Sequence, residues 1–126
     1  MAINPSFVLD TNIALYHLGG KLQSNLPTGQ YFVSVITEME LLSYSSLAPA
    51  EEQQIRRFLA QLQTLNFTES IKQTAINFRK QNRLKLPDAI IAATAFYLGA
   101  ILLTNDLKLT QVPLLRVKSL SLKSYP

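Results

Sequence analysis

Cysteine is absent from the 126 residues. That removes disulfide frameworks, thiolate metal sites, iron–sulfur clusters and thiol nucleophiles together. His17 is the sole histidine, which excludes acid–base chemistry by a histidine pair and any site needing several imidazoles. Aspartate occurs three times, at Asp10, Asp88 and Asp106. Long apolar runs are also missing. The longest, Ala89 to Leu103, is divided by Gly99 and falls short of the ~18–20 residues a membrane helix needs. Met1-Ala2-Ile3-Asn4-Pro5 has no basic stretch leading into an apolar core, so no secretory signal is expected. These absences predict a soluble, cytoplasmic protein whose chemistry is left to carboxylates.

What remains is an ordinary globular composition. Hydrophobic residues make up 48% and charged residues 16%, so the chain can bury a core rather than stay disordered. Its length predicts one domain over residues 1–126. The net charge of +4 permits an anionic partner without demanding one.

Strand and helix signals alternate along the chain. Ser6 to Asp10 is a short apolar run of strand type, and Thr11 to Leu18 suits a helix stopped by Gly19-Gly20. Tyr31 to Ile36, aromatic and β-branched, predicts a second strand, with a helix from Thr37. A further helix is expected over about Ala50 to Gln63, then a short strand at Leu65 to Phe67. Thr68 or Ser70 caps a helix running to about Asn82. Pro87 and Gly99 bracket another, with Pro just inside the start and Gly past the end. Ala100 to Leu103 and Leu114 to Val117 complete the strands, around a helical turn at Asn105 to Leu109. The alternation predicts a three-layer α/β/α fold with a mainly parallel sheet of about five strands.

That architecture gives the acids meaning. Asp10 and Asp106 follow predicted strands, Glu40 follows the second strand, and Asp88 opens a helix. In a parallel sheet all strand carboxyl ends share one edge, and ligands bind outside it. Each acid also has a plain structural reading as an N-terminal helix acid, and Thr37-x-x-Glu40 is a formal capping box. Four carboxylates at one edge, however, repel one another unless a cation or a shared proton offsets them. Hard oxygen donors without His or Cys select Mg²⁺ or Mn²⁺.

V-L-D-T-N (8–12), S-V-I-T-E-M-E-L (34–41), L-P-D-A-I-I-A-A-T-A (86–95) and I-L-L-T-N-D (101–106) resemble the PIN-domain nucleases. The likeness is strongest to the VapC-like toxin ribonucleases of type II toxin–antitoxin systems. D-T-N alone is unspecific; the D-x-x-I-A-A-x-A helix followed by T-N-D is far more so. The resemblance covers about residues 6 to 118. It places the family's acids, as catalytic groups and metal ligands, on Asp10, Glu40, Asp88 and Asp106, with support from Thr11, Asn12 and Thr104. It favours Glu40 over Glu38, because the family acid lies three residues after the Thr and before Leu. It implies hydrolysis of RNA phosphodiesters by water activated at a Mg²⁺ or Mn²⁺ site, an antitoxin partner and a homodimer. Whether Glu40 ligates or orients water, and whether one ion binds or two, stays open. Where many relatives have Gly a turn after the glutamate this chain has Tyr44, and where many have an aromatic soon after the last acid it has Leu107 and Leu109.

Arg79, Lys80, Arg83 and Lys85 form the densest basic run and lie just before Asp88. They suit phosphate contact, or simply a solvated helix end where cations meet the macrodipole. His17 reads as a packing or surface residue, Tyr31, Phe32, Phe58, Phe78, Phe96 and Tyr97 as core, and Arg56-Arg57 as surface. A haloacid-dehalogenase-type phosphatase needs a second Asp where Asn12 stands, and a receiver domain needs an acidic pair and a late lysine that are missing. The remaining alternative is a catalytically inactive PIN fold that binds RNA or protein, against which the presence of all four acids weighs.

Overall fold

The computed structural model describes residues 4–124. The sequence readings of Met1 to Ile3 and of the outer limits of a 1–126 domain fall outside that range. Five strands form one sheet: β1 (Ser6–Leu9), β2 (Gln30–Ser34), β3 (Gln63–Leu65), β4 (Ile101–Leu103) and β5 (Val117–Lys118). Every pairing is parallel, and the order is β3-β2-β1-β4-β5. Six helices accompany it: α1 (Thr11–Leu18), α2 (Val35–Leu42), α3 (Pro49–Ala60), α4 (Glu69–Asn82), α5 (Leu86–Leu98) and α6 (Leu107–Thr110).

The central strand shows why the sheet is sandwiched. Phe7, Val8 and Leu9 are all buried, so neither face of β1 meets water. Phe7 and Leu9 pack with Ile13 and Ala14 of α1 and with Ile55, Phe58 and Leu59 of α3. Val8, pointing the other way, packs with Ile71, Ala75 and Phe78 of α4 and with α5. Residues 89 to 95 of α5 are buried on every side, since the helix lies between the sheet and α4. Alanine at 92, 93 and 95 keeps that helix thin enough to fit. No helix among the described residues is long and apolar enough to cross a membrane.

Several boundaries differ from the sequence reading. β2 stops at Ser34 instead of Ile36, because the Ser34 hydroxyl accepts the Ile36 N–H at 3.1 Å and starts α2 two residues before Thr37. β3 lies two residues early, at Gln63–Leu65, where Thr64 pairs with Val33, and leaves Phe67 exposed. β5 begins at Val117, since Leu114 turns into solvent at φ 69°. α3 ends at Ala60. Phe96 and Tyr97 are exposed instead of core, because α5 emerges from between its neighbours after Ala95.

Gly29 guards the start of β2. A β-carbon there would stand 2.4 Å from the Pro5 carbonyl oxygen and 2.7 Å from the Phe7 ring. That carbonyl also accepts the Gln30 N–H at 2.9 Å. Gly29→Ala is therefore expected to lower stability by about 2–3 kcal/mol, read by urea denaturation. An unchanged midpoint would show that β2 is not seated this tightly.

Candidate active site

Strand order reverses between β1 and β4. From β1 the chain moves outward through β2 to β3, then returns to the other side of β1 for β4 and β5. Such a reversal opens a crevice at the carboxyl ends of the two central strands. Asp10 leaves β1 there and Thr104 leaves β4. The Asp10 N–H donates to the Leu103 carbonyl at 3.0 Å, which carries the parallel ladder one step into the crevice.

Asp10 occupies the cap position of α1, yet its side chain makes no cap bond. It turns instead to the Thr104 hydroxyl, which donates to Oδ2 at 2.6 Å. The same hydroxyl accepts the Asp106 N–H at 3.1 Å. Thr104 thus ties the first acid to the backbone of the last. Asp106 caps the short α6, its Oδ1 accepting the Lys108 N–H at 2.9 Å. Asp10 and Thr104 are both buried.

Glu40 arrives from α2. The capping-box reading does not hold, because Ser34 is the cap and Thr37 sits inside the helix with no exposure at all. Thr11 donates from α1 to Glu40 Oε1 at 2.7 Å, and Thr37 lies 2.9 Å from the same Thr11 hydroxyl. Asp88 stands in the first turn of α5, with Lys85 at the cap position.

Electrostatics join these four acids. Burial pushes the Asp10 carboxyl above the usual range; the Thr104 hydroxyl opposes this, and the charges of Asp88 and Asp106 add to it. Asp88 is raised too, first by burial and then by Asp106 and Glu40, with Lys85 and Lys108 partly compensating. The ion pairs among the described residues are Arg56–Glu52 and Lys72–Glu69, neither at this edge. Among the described residues no three acid or histidine side chains form a closed ion-holding group. The structure therefore brings the acids within electrostatic reach of one another without gathering them into a cage.

The PIN domain family model matches residues 7–115. The chain belongs to the PIN-domain family. Solved structures share this PIN fold. VapBC2 from Rickettsia felis, bound to a DNA fragment from their promoter, superposes with a TM-score of 0.79 at 22% identity, over 92% of this chain and 99% of that one. A toxin–antitoxin complex from Klebsiella pneumoniae gives 0.71 at 30% identity, over 84% and 92%. DNA-bound VapBC from Salmonella typhimurium gives 0.77 at 24% identity, over 91% and 98%. No curated protein sequence matches significantly.

Other residues singled out in the sequence fall at varied distances from the PIN-domain acids. Thr11 is buried and bonded to Glu40, whereas Asn12 is exposed and makes no side-chain hydrogen bond among the described residues. Lys85 stands beside Asp88, but Arg79, Lys80 and Arg83 line a separate groove of about 530 Å³ with Ile76, Leu84 and Leu86. His17 packs its ring 5.3 Å from that of Phe58. Two neighbours of the acids are not marked by the sequence as site residues. Lys108 has a faint signal, being a cation two residues past Asp106. Thr37 has a misleading one, because a Thr three residues before a Glu reads as a cap.

Removing one charge from this PIN-domain edge relieves repulsion. Asp88→Asn is expected to raise the melting temperature of the metal-free protein by a few degrees, measured by calorimetry in chelator. A lower melting temperature would show that Asp88 is stabilising where it stands.

Proposed function

We propose that this PIN domain is a metal-dependent endoribonuclease acting in the cytoplasm as the toxin of a toxin–antitoxin pair. The observation that carries the reading is the set of four carboxylates at the sheet's switch point, none in an ion pair among the described residues and two of them raised by burial and by their neighbours. The donors are all oxygen, which fits a hard divalent cation and no thiophilic one. Asp10, Asp88 and Asp106, with Glu40, would hold Mg²⁺ or Mn²⁺. Such an ion, when bound, supplies an activated water and neutralises charge on the phosphate.

The chain's own residues set the stage for that chemistry. Thr104 fixes the Asp10 carboxylate from below, and Thr11 fixes one oxygen of Glu40. Lys85 and Lys108 place positive charge near Asp88, where it would attract an approaching phosphate. With the four site acids set aside, twelve Lys and Arg oppose four other acids, a balance of +8 that suits a polyanion. Arg79, Lys80 and Arg83 would offer a second basic surface, in the groove at the end of α4. Attack by water leaves a 5′-phosphate and a 3′-hydroxyl. Attack by the RNA's own 2′-hydroxyl leaves a cyclic phosphate, and the histidine pair that often serves that route is excluded by the single His17.

The toxin assignment draws on the Klebsiella pneumoniae relative, itself a toxin–antitoxin complex. An antitoxin that covers the acid edge and a homodimer of this chain complete the proposal. Incubation with total RNA and Mn²⁺, followed by mapping of product ends, tests the chemistry. The expected products carry 5′-phosphate; cyclic phosphate ends would overturn the mechanism, and RNA binding without scission would favour an inactive binding module.

A further inference from the structure

We infer that Thr37 is a positioning residue that holds Glu40 in place through Thr11. The inference rests on the nuclease reading above and adds to it a residue that touches neither substrate nor ion. Thr11 Oγ1 lies 2.7 Å from Glu40 Oε1 and 2.9 Å from Thr37 Oγ1. An ionised carboxylate only accepts, so the single Thr11 proton goes to Glu40. The Thr11–Thr37 contact then has one allowed direction, with Thr37 donating. The three side chains form a directed relay from Thr37 to Thr11 to Glu40.

Burial makes the relay effective. Thr37 is 0% exposed and Thr11 is 7% exposed, so water does not compete for either hydroxyl. Thr37 and Glu40 lie one turn apart on α2, and Thr11 comes from α1, so the relay also ties the two helices together. A hydroxyl rotor with one acceptor and no donor can swing; the Thr37 proton fixes the Thr11 lone pair and leaves its O–H aimed at Glu40. One carboxylate oxygen is thereby held. The other makes no hydrogen bond to the described residues and is left for the crevice. A Glu side chain without that anchor spreads over several rotamers.

Thr37→Val keeps the shape and removes the donor. It is expected to lower kcat for RNA cleavage about ten-fold with KM unchanged, and to weaken Mn²⁺ binding to the RNA-free protein by a similar factor, since partners behind ligands carry this much. Thr37→Ser restores both. Thr11→Val/Thr37→Val behaves like Thr11→Val alone, because Thr37 acts only through Thr11. In the metal-free protein, side-chain ¹³C relaxation finds Glu40 rigid in the wild type and in Thr37→Ser, and mobile in Thr37→Val. Should Thr37→Val not fold, the wild-type protein still decides the matter. The Thr37 hydroxyl proton must exchange slowly and show a nuclear Overhauser contact to Thr11, and its absence overturns the relay. A Thr37→Val protein with a rigid Glu40 overturns it as well, as does one with wild-type kcat and Mn²⁺ affinity. A wild-type protein that neither binds Mn²⁺ nor cuts RNA defeats the nuclease reading instead, and the metal-free relaxation and exchange data then judge the relay separately.

Discussion

Asp10→Asn is expected to fold and to lose RNA cleavage by roughly a thousand-fold, the upper range for removing one charge-stabilising group from an active site. The Asn side-chain oxygen can still accept the Thr104 hydroxyl, so the 2.6 Å bond that seats the residue survives. The buried charge does not. Burial is the largest influence on Asp10 and already disfavours its ionised form, so neutralising it spares the fold. Thermal melting of the metal-free variant should therefore match or exceed the wild type, while scission of RNA falls to background. Near-wild-type cleavage by a folded Asp10→Asn protein would place the chemistry elsewhere.

Thr104→Val has the second largest expected effect, and it strikes both function and stability. The substitution removes the donor to Asp10 and the acceptor of the Asp106 N–H in one stroke. Thr104 is fully buried, so water does not replace either bond. A loss of about 1–3 kcal/mol is expected from the stranded polar groups. Activity should fall roughly 10–100-fold, as for other residues that orient ligands from behind. Thr104→Ser should recover most of both. Equal rates for valine and threonine, measured on folded protein, would show that the hydroxyl positions nothing that matters to the reaction.

The fold was legible where the chain is punctuated or continuously apolar. Phe7 to Leu9 and Leu102-Leu103 read as buried strands because both of their faces are covered. Pro87 and Gly99 marked α5 because the first suits a helix start and the second takes φ 63° at its end. The boundary after β2 was not legible. Val35 and Ile36 have the side chains of a strand, and a single hydroxyl, that of Ser34, makes them a helix instead. β5 was misplaced for a related reason: Leu114 and Leu115 look like strand, but backbone geometry at Leu114 turns the chain outward first.

The candidate site was legible because its residue types are scarce. With three aspartates in the chain, two after strands and one at a helix start, the topology itself selects the crevice. The residues behind them were harder to see. Thr104 stood out only through the T-N-D motif. Thr37 was hidden by its resemblance to a cap, and its partner Thr11 lies 26 residues earlier, a pairing that only the packing of α1 on α2 creates. The basic run before Asp88 divided in a way no pattern foretold. Lys85 joined the acids, while Arg79, Lys80 and Arg83 went to the groove beside α4.

Cleavage of RNA by purified wild-type protein, after exhaustive chelation and again after adding back Mn²⁺, bears most directly on the carboxylate site. Intact RNA is expected in chelator and restored scission once the ion returns, with Asp10→Asn silent in both. Undiminished scission in the chelator would contradict it.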